Sequence, residues 1–202
     1  MKLYFTPGAC SMAPHIGLRE AGLKFDLEQV DLGTKKTKSG ADYTKINPKG
    51  YVPALQLDSG EVLTEAPVIL QYIGDQKPDS GLVPKAGTME RYRTQEWLNF
   101  VTSELHKGFG ALFNPKTPED YKPVALERIG QRLDFLAKQL DGKPYLAGDK
   151  FSAPDAYLFT VLSWAPHLKI SLDKWPTLGA YLGRVGARPQ VQATLKAEGL
   201  IK

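Results

Sequence analysis

The chain has 202 residues, 42% of them hydrophobic and 24% charged, which is enough for one or two globular domains with a sizeable core. Its only cysteine, Cys10, excludes an internal disulfide framework and suits a reducing compartment. No apolar run approaches the ~20 residues of a membrane span. The net charge of +4 suits binding of a small anionic ligand better than binding of nucleic acid along a basic stripe. With no signal-peptide pattern, we expect a cytoplasmic protein with no membrane or nucleic-acid partner.

The first predicted elements are a strand, a turn at Pro7-Gly8 and a helix. Residues 3–5 form a compact apolar run typical of a buried strand, and residues 11–21 carry helical spacing. Cys10 therefore lies where the chain enters a helix. Because that end presents unpaired N–H groups and a partial positive charge, it stabilises a thiolate. The sequence predicts a Cys10 pKa below that of a free thiol.

The surroundings of Cys10 also indicate what its sulfur can do. It occupies the first cysteine position of a Cys-x-x-Cys pattern, in which Ala13 replaces the second cysteine. Such a thiol cannot close an internal disulfide, but it can bind, attack, or form a mixed disulfide with another thiol. Most lone cysteines are inert small hydrophobes, yet the strand–turn–helix context favours a functional thiol here.

The first half of the chain continues as alternating strands and helices. Residues 25–32 are predicted to form a second strand and residues 42–46 a short helix or turn. Residues 54–57 and 61–63 flank a turn and are predicted to form a hairpin. Residues 64–67 begin another helix, with a proline near its first position. This order of four strands predicts a mixed sheet with helices packed on it.

The second half is predicted to be entirely helical. The turn-rich residues 78–87 are the candidate linker between a first domain of residues 1–77 and a helical domain of residues 88–202. Ser152 is predicted to cap a long helix, and Asp155 to complete a capping box with it. We therefore expect both residues to serve folding and not chemistry.

Short motifs run in a fixed order from one end of the chain to the other. They are Lys2-Leu3-Tyr4, Pro7-Gly8-Ala9-Cys10-Ser11, Pro14-His15, Asn47-Pro48-Lys49-Gly50, Val52-Pro53-Ala54-Leu55, Leu63-Thr64-Glu65, Gln71-Tyr72, Glu96-Trp97-Leu98-Asn99-Phe100, Ser103-Glu104-Leu105-His106-Lys107 and Asp155-Ala156-Tyr157-Leu158-Phe159. No single motif is specific, but the ordered set resembles the bacterial beta class of glutathione transferases. The resemblance implies an α/β thioredoxin-like N-terminal domain with a mixed four-stranded sheet, followed by an all-α C-terminal domain.

For the N-terminal domain, the resemblance implies a glutathione-binding role at each matching position. Val52-Pro53 is similar to the family's cis-proline site, where the backbone of Val52 would pair with the cysteinyl part of glutathione. Glu65 would bind the γ-glutamyl ammonium, and the N–H of Ala66 its carboxylate. Lys35 would meet the glycyl carboxylate, although a solvated lysine in a basic loop is nearly as good an interpretation.

The helical domain is implied to supply the remaining glutathione contacts. An isolated helical histidine is more often structural than catalytic, but by resemblance His106 would face Cys10 and donate to the sulfur. Lys107 would add positive charge. Ser103 and Glu104 match contacts to the glutathione backbone, and Asn99 would reach the site of a partner subunit. The resemblance therefore also implies a twofold homodimer.

A pocket for an apolar electrophile is implied between the domains. It would draw on four aromatic residues, Phe109, Phe113, Tyr157 and Trp164. His15 lies on the helix that follows Cys10 and is expected to be structural. We expect glutathione as co-substrate and no metal.

These features favour a glutathione transferase that conjugates glutathione to hydrophobic electrophiles, in detoxification or xenobiotic degradation. Two alternatives stay open. The first is a glutathione-dependent thiol–disulfide oxidoreductase that acts through a mixed disulfide on Cys10. The second is a non-catalytic protein that binds hydrophobic ligands.

Overall fold

A computed structural model describes all 202 residues of the chain. The N-terminal part consists of β1 (Lys2–Phe5), α1 (Met12–Glu20), β2 (Asp26–Asp31), β3 (Lys36–Thr37), β4 (Ala54–Gln56), β5 (Val62–Thr64) and α2 (Ala66–Gln76). The remainder is helical, with α3 (Met89–Phe100), a π-helical segment (Val101–His106), α4 (Lys107–Phe113), α5 (Tyr121–Gln139), α6 (Ala153–Leu162), α7 (Pro176–Gly186) and α8 (Pro189–Ala197). The predicted fold class is confirmed.

The sheet is mixed, as predicted, but it has five strands in the order β3-β2-β1-β4-β5. β1 runs parallel to β2 and antiparallel to β4, and β4 pairs with β5 as the predicted hairpin. The extra edge strand β3 pairs Thr37 with Val30 and Lys36 with Asp31. A strand of two residues carries no alternating pattern, so only backbone pairing with β2 reveals it.

Helix α1, which carries the chain away from Cys10, is buried from Met12 to Leu18. It packs against α2 and also against the C-terminal helices α6 and α8. Every residue of α6 is buried, as expected for a central helix that is apolar all round. One apolar cluster therefore runs through both parts of the chain, and the helix next to Cys10 is held largely by the helical part.

The segment between the two parts is also packed. α2 ends at Gln76 and α3 begins at Met89, with a 3₁₀ turn at Pro78–Ser80 between them. Leu82 is buried, and its carbonyl accepts the N–H of Ala153 at 2.9 Å. The division into residues 1–77, 78–87 and 88–202 stays a prediction, because a single core crosses it.

The structure confirms Ser152 and Asp155 as a capping box at the start of α6. The Asp155 side chain is fully buried and accepts four hydrogen bonds. The donors are the N–H and hydroxyl of Ser152, the N–H of Leu146 and the hydroxyl of Tyr181, at 2.9–3.0 Å. Burial raises the pKa of Asp155, while these donors oppose the shift. Asp155 therefore joins three parts of the helical domain and touches no candidate site.

Candidate functional site

A cavity of about 260 Å³ opens between the N-terminal part and the helical part. It brings together eight of the residues predicted from the sequence: Cys10, Val52, Pro53, Glu65, Ala66, His106, Lys107 and Tyr157. A larger cavity of about 660 Å³, beside α3 and the loop before α6, contains none of the predicted binding residues. Chemistry, and not size, therefore identifies the smaller cavity as the candidate site.

Cys10 lies two residues before α1, whose N-cap is Ser11. Its sulfur donates to the carbonyl of Val52 at 3.2 Å, and the Val52–Pro53 bond is cis, as predicted. Burial raises the pKa of the Cys10 thiol to about 12, and the backbone N–H groups of Cys10 and Ser11 offset only part of that rise. The predicted low pKa is therefore wrong for the ligand-free protein. Desolvation of the sulfur outweighs the helix start.

The turn before Cys10 is held by the helical part of the chain. Gly8 has a φ of +70°, a conformation that suits glycine. Its N–H donates to Glu198 Oε2 at 2.8 Å, and its carbonyl accepts the indole N–H of Trp164 at 2.8 Å. Both backbone polar groups of Gly8 are thus fixed by distant residues, which positions the turn that carries Cys10.

His15 lies on α1 outside the candidate cavity, and its contacts define its tautomer. It is fully buried, and the Nε of Arg19 donates to its Nε2 at 3.0 Å. Because a guanidinium can only donate, Nε2 carries no hydrogen, and Nδ1 must donate to Glu198 Oε1 at 2.8 Å. Glu198 carries no signal of this role in the sequence, since a partner 183 residues away from His15 leaves no local pattern.

Glu65 lies at the N-cap of α2 with a φ of +71°, in the left-handed region that non-glycine residues rarely adopt. Its carboxylate accepts hydrogen bonds from Lys49 Nζ at 2.7 Å and from the Tyr51 hydroxyl at 3.2 Å. The hydrogen bond from Lys49 holds the pKa of Glu65 below its usual range. Ala66, the first residue of α2, presents an N–H with no acceptor within the helix. A carboxylate and a free N–H therefore lie side by side at the cavity wall.

Four other predicted residues lie outside the cavity or behind its wall. Lys35 donates to the carbonyl of Gly50 at 2.7 Å, close to the cavity-lining Tyr51. Ser103 is exposed and donates to the carbonyl of Asn99, also exposed, at 3.0 Å. Glu104 pairs with Arg132 at 2.6 Å.

The π-helical segment ends at His106 and interrupts the long helix formed by α3 and α4. His106 Nδ1 lies 2.6 Å from the hydroxyl of Tyr157, and its ring stacks edge-on against Trp164 at 5.0 Å. Burial and the charge of Lys107 lower the pKa of His106 to about 4. His106 is therefore neutral at pH 7. π-helical turns often occur at functional sites, but the sequence carried no signal for this one.

The predicted electrophile residues form an aromatic cluster around Trp164. Phe113 is 48% exposed, and its ring lies 5.6 Å from that of Trp164. Phe109 is fully buried, with its ring 6.4 Å from that of Trp164, and it does not line the candidate cavity. Tyr157 alone of the four contacts the candidate cavity directly.

Family models match most of the chain. "Glutathione S-transferase, N-terminal domain" matches residues 8–76, and "Glutathione S-transferase, C-terminal domain" matches residues 100–189. The chain belongs to the glutathione S-transferase family. It is 47% identical over 200 residues to the glutathione S-transferase GstA of Escherichia coli O157:H7, covering 99% of this chain and 100% of the relative.

Two solved structures are similar over the whole of both chains. One is a bacterial beta-class glutathione S-transferase from Sphingomonas chungbukensis, with 52% identity and a TM-score of 0.96. The other is a sphingomonad glutathione S-transferase complexed with glutathione, with 50% identity and a TM-score of 0.96. The resemblance to the beta class is confirmed.

No helix is both long and apolar enough to cross a bilayer. No group of three or more His, Cys, Asp or Glu side chains is arranged to hold a metal ion.

Proposed function

We propose that this glutathione transferase binds glutathione in the 260 Å³ cavity and joins its sulfur to an apolar electrophile. The supporting observation is that peptide-pairing, ammonium-binding and carboxylate-binding groups meet there beside Cys10 and His106. In the reaction the thiol loses its proton and the sulfur forms a bond to an electrophilic carbon, from which a leaving group departs. The protein's tasks are to stabilise the thiolate and to align it with that carbon.

Glutathione is proposed to lie extended against the Val52 backbone. Its γ-glutamyl ammonium meets the Glu65 carboxylate, and its γ-glutamyl carboxylate meets the free N–H of Ala66. The Glu65 carboxylate already forms an ion pair with Lys49. The ligand ammonium therefore either binds beside Lys49 or displaces it from Glu65. Lys35, next to the cavity rim, takes the glycyl carboxylate. Lys107 lines the cavity and adds positive charge near the sulfur.

The electrophile is proposed to be an apolar, flat molecule. Next to the cavity-lining His106, the buried Trp164 ring lies 5.0 Å away, and the half-exposed Phe113 lies 5.6 Å beyond it. Aromatic rings favour stacked or edge-on contacts with such a molecule. An aryl halide such as chlorodinitrobenzene is therefore a suitable first substrate. Turnover of this compound would distinguish an enzyme from a non-catalytic protein that only binds hydrophobic ligands. Membership of a transferase family disfavours the non-catalytic alternative.

A second activity is proposed from the place of Cys10. Its sulfur donates to the Val52 carbonyl, beside the backbone that would pair with the cysteinyl part of glutathione. That position suits a mixed disulfide between Cys10 and glutathione, formed when the Cys10 thiolate attacks oxidised glutathione and releases reduced glutathione. The raised pKa of Cys10 makes this exchange slow at neutral pH in the ligand-free protein. A lone reduced cysteine also fits a cytoplasmic location.

Cys10→Ala separates the two activities. We expect conjugation of an aryl halide to fall by no more than roughly tenfold, because glutathione brings its own sulfur. We expect the mixed disulfide, and disulfide reduction with it, to be abolished. Mass spectrometry after treatment with oxidised glutathione measures the adduct, and Cys10→Ser serves as the near-isosteric control. An adduct that persists in either variant contradicts the assignment, and complete loss of conjugation contradicts the proposed mechanism.

We also propose a twofold homodimer in which Asn99, Ser103 and Glu104 complete the glutathione site of the partner. All three lie outside the cavity of their own protomer. Sedimentation should show twice the monomer mass of 22.3 kDa, and dilution should weaken glutathione binding together with assembly. Asn99→Ala should weaken binding by roughly tenfold without loss of assembly. A monomer with full glutathione affinity contradicts both the dimer and the shared site.

A further inference from the structure

The imidazole of His106 is held in place by two aromatic residues, Tyr157 and Trp164. Its Nδ1 lies 2.6 Å from the Tyr157 hydroxyl, and the rings of Tyr157 and Trp164 contact it edge-on at 5.9 and 5.0 Å. Nε2 has no hydrogen-bond partner in the protein, yet it is not among the buried unpaired polar atoms, of which Arg91 Nε is the only one. Because His106 lines the cavity, Nε2 is the nitrogen that a ligand there can reach.

Two hydrogen-bond arrangements fit the short contact between His106 and Tyr157. In one, the Tyr157 hydroxyl donates to Nδ1, which places the histidine hydrogen on Nε2. In the other, Nδ1–H donates to the Tyr157 oxygen, whose own hydrogen then turns to the nearby Thr102. The contacts of one nitrogen decide whether the cavity meets a donor or a lone pair on the other.

The surroundings of the pair favour the first arrangement. Thr102 already donates its hydroxyl hydrogen to the Leu98 carbonyl at 2.7 Å. It can therefore offer Tyr157 only a lone pair of its hydroxyl oxygen. An imidazole nitrogen is a more basic acceptor for a phenol than such an oxygen. The first arrangement also supplies an N–H where a thiolate forms, and fixed donors at developing negative charge are the strongest catalytic contribution of such sites.

We propose that Tyr157 is a positioning residue, whose hydroxyl donates to Nδ1 of His106 and so directs Nε2–H at the sulfur of bound glutathione. This inference rests on the proposed conjugation. The thiol proton leaves to water, while His106 keeps its own hydrogen and donates to the thiolate. The lowered pKa of His106 agrees with this role, since a neutral imidazole donates without accepting the proton. The charged groups near the ring are Lys107 and Glu65.

The tautomer of His106 can be measured on the ligand-free, unmodified protein. The chain has three histidines, and ¹⁵N NMR of histidine-labelled protein distinguishes Nδ1–H from Nε2–H in each. His106→Gln assigns the signal of His106. His15 is an internal reference, because Arg19 requires its Nδ1–H form. We expect His106 in the Nε2–H form. A His106 found in the Nδ1–H form overturns the proposal, whatever the enzyme's activity.

Tyr157→Phe tests the consequence for the sulfur. It removes only the hydroxyl, and the ring keeps its packing. We expect the pKa of the bound glutathione thiol to rise by about 1, and kcat/KM at neutral pH to fall by roughly tenfold with little change in KM for glutathione. The rate should recover at higher pH, which a merely structural defect would not produce.

Tyr145→Phe is the matched control, since it removes a tyrosine hydroxyl outside the cavity that accepts from Arg188 at 3.2 Å. It should leave the thiol pKa unchanged. An unchanged thiol pKa in Tyr157→Phe overturns the proposal. If Tyr157→Phe does not fold, the tautomer measurement decides alone. If the unmodified protein conjugates nothing, the proposed function fails while the tautomer result still stands.

Discussion

Replacing Asp155 by alanine is expected to lower the free energy of unfolding by about 4 kcal/mol. The change deletes the acceptor of four hydrogen bonds. It leaves the Leu146 N–H without a partner in a dry interior and the Tyr181 hydroxyl with only the backbone carbonyl of residue 155, at 3.3 Å. For a chain of this length the melting temperature should fall by roughly 10 °C. Thermal and urea denaturation measure the effect.

The matched variants separate the parts of this prediction. Ser152→Ala removes one of the four donors and should cost about 1 kcal/mol. Asp149→Ala, at an exposed aspartate in the preceding loop, should change stability by less than about 0.5 kcal/mol. A stable Asp155→Ala protein that has lost glutathione affinity would place Asp155 in the site and contradict its structural role.

Glu198→Ala is expected to cost about 3 kcal/mol and to disturb the turn before Cys10. The carboxylate accepts from buried His15 and from the N–H of Gly8, both at 2.8 Å, and alanine leaves both donors unpaired. Because Gly8 lies two residues before Cys10, glutathione affinity should fall together with stability. Calorimetric melting and glutathione titration on the same preparation measure the two losses.

Two controls make the expectation for Glu198 specific. Glu198→Gln keeps an acceptor oxygen and should lose less stability than alanine does. Glu96→Ala breaks an ion pair with Arg93 in which both side chains are more than 60% exposed, and it should change neither quantity measurably. A Glu198→Ala protein that binds glutathione like the unmodified chain would show that Gly8 needs no support from the C-terminal segment.

Much of the fold and part of the site follow from local signals in the chain. The turn between residues 54–57 and 61–63 predicts the hairpin, and the Ser152–Asp155 spacing predicts the cap of α6. The ordered motifs predict the family and the cis bond before Pro53. These features depend on neighbours a few residues apart, so they are visible before any packing is known.

Other features depend on which distant surfaces meet. Asp155 looks from the sequence like an ordinary capping residue, but its contacts with Leu146 and Tyr181 make it the centre of a buried network. Asn99 is exposed and lies outside the cavity, so the role proposed for it requires a second copy of the chain. Phe109 is an aromatic residue of the type that lines an apolar pocket, yet its side chain lies wholly inside the core.

By itself the sequence determined most of the order of strands and helices, the cap of α6 and eight of the twelve residues that line the cavity. Only the tertiary structure decided how those side chains behave. A helix start stabilises a thiolate through local dipoles, but burial removes the sulfur of Cys10 from water and raises its pKa to about 12. The tautomer of His15 depends in the same way on Arg19 and Glu198, of which the second lies at the other end of the chain. Local geometry can be predicted from the spacing of nearby residues in the sequence. Desolvation and contacts between residues far apart in the chain exist only once the chain has folded.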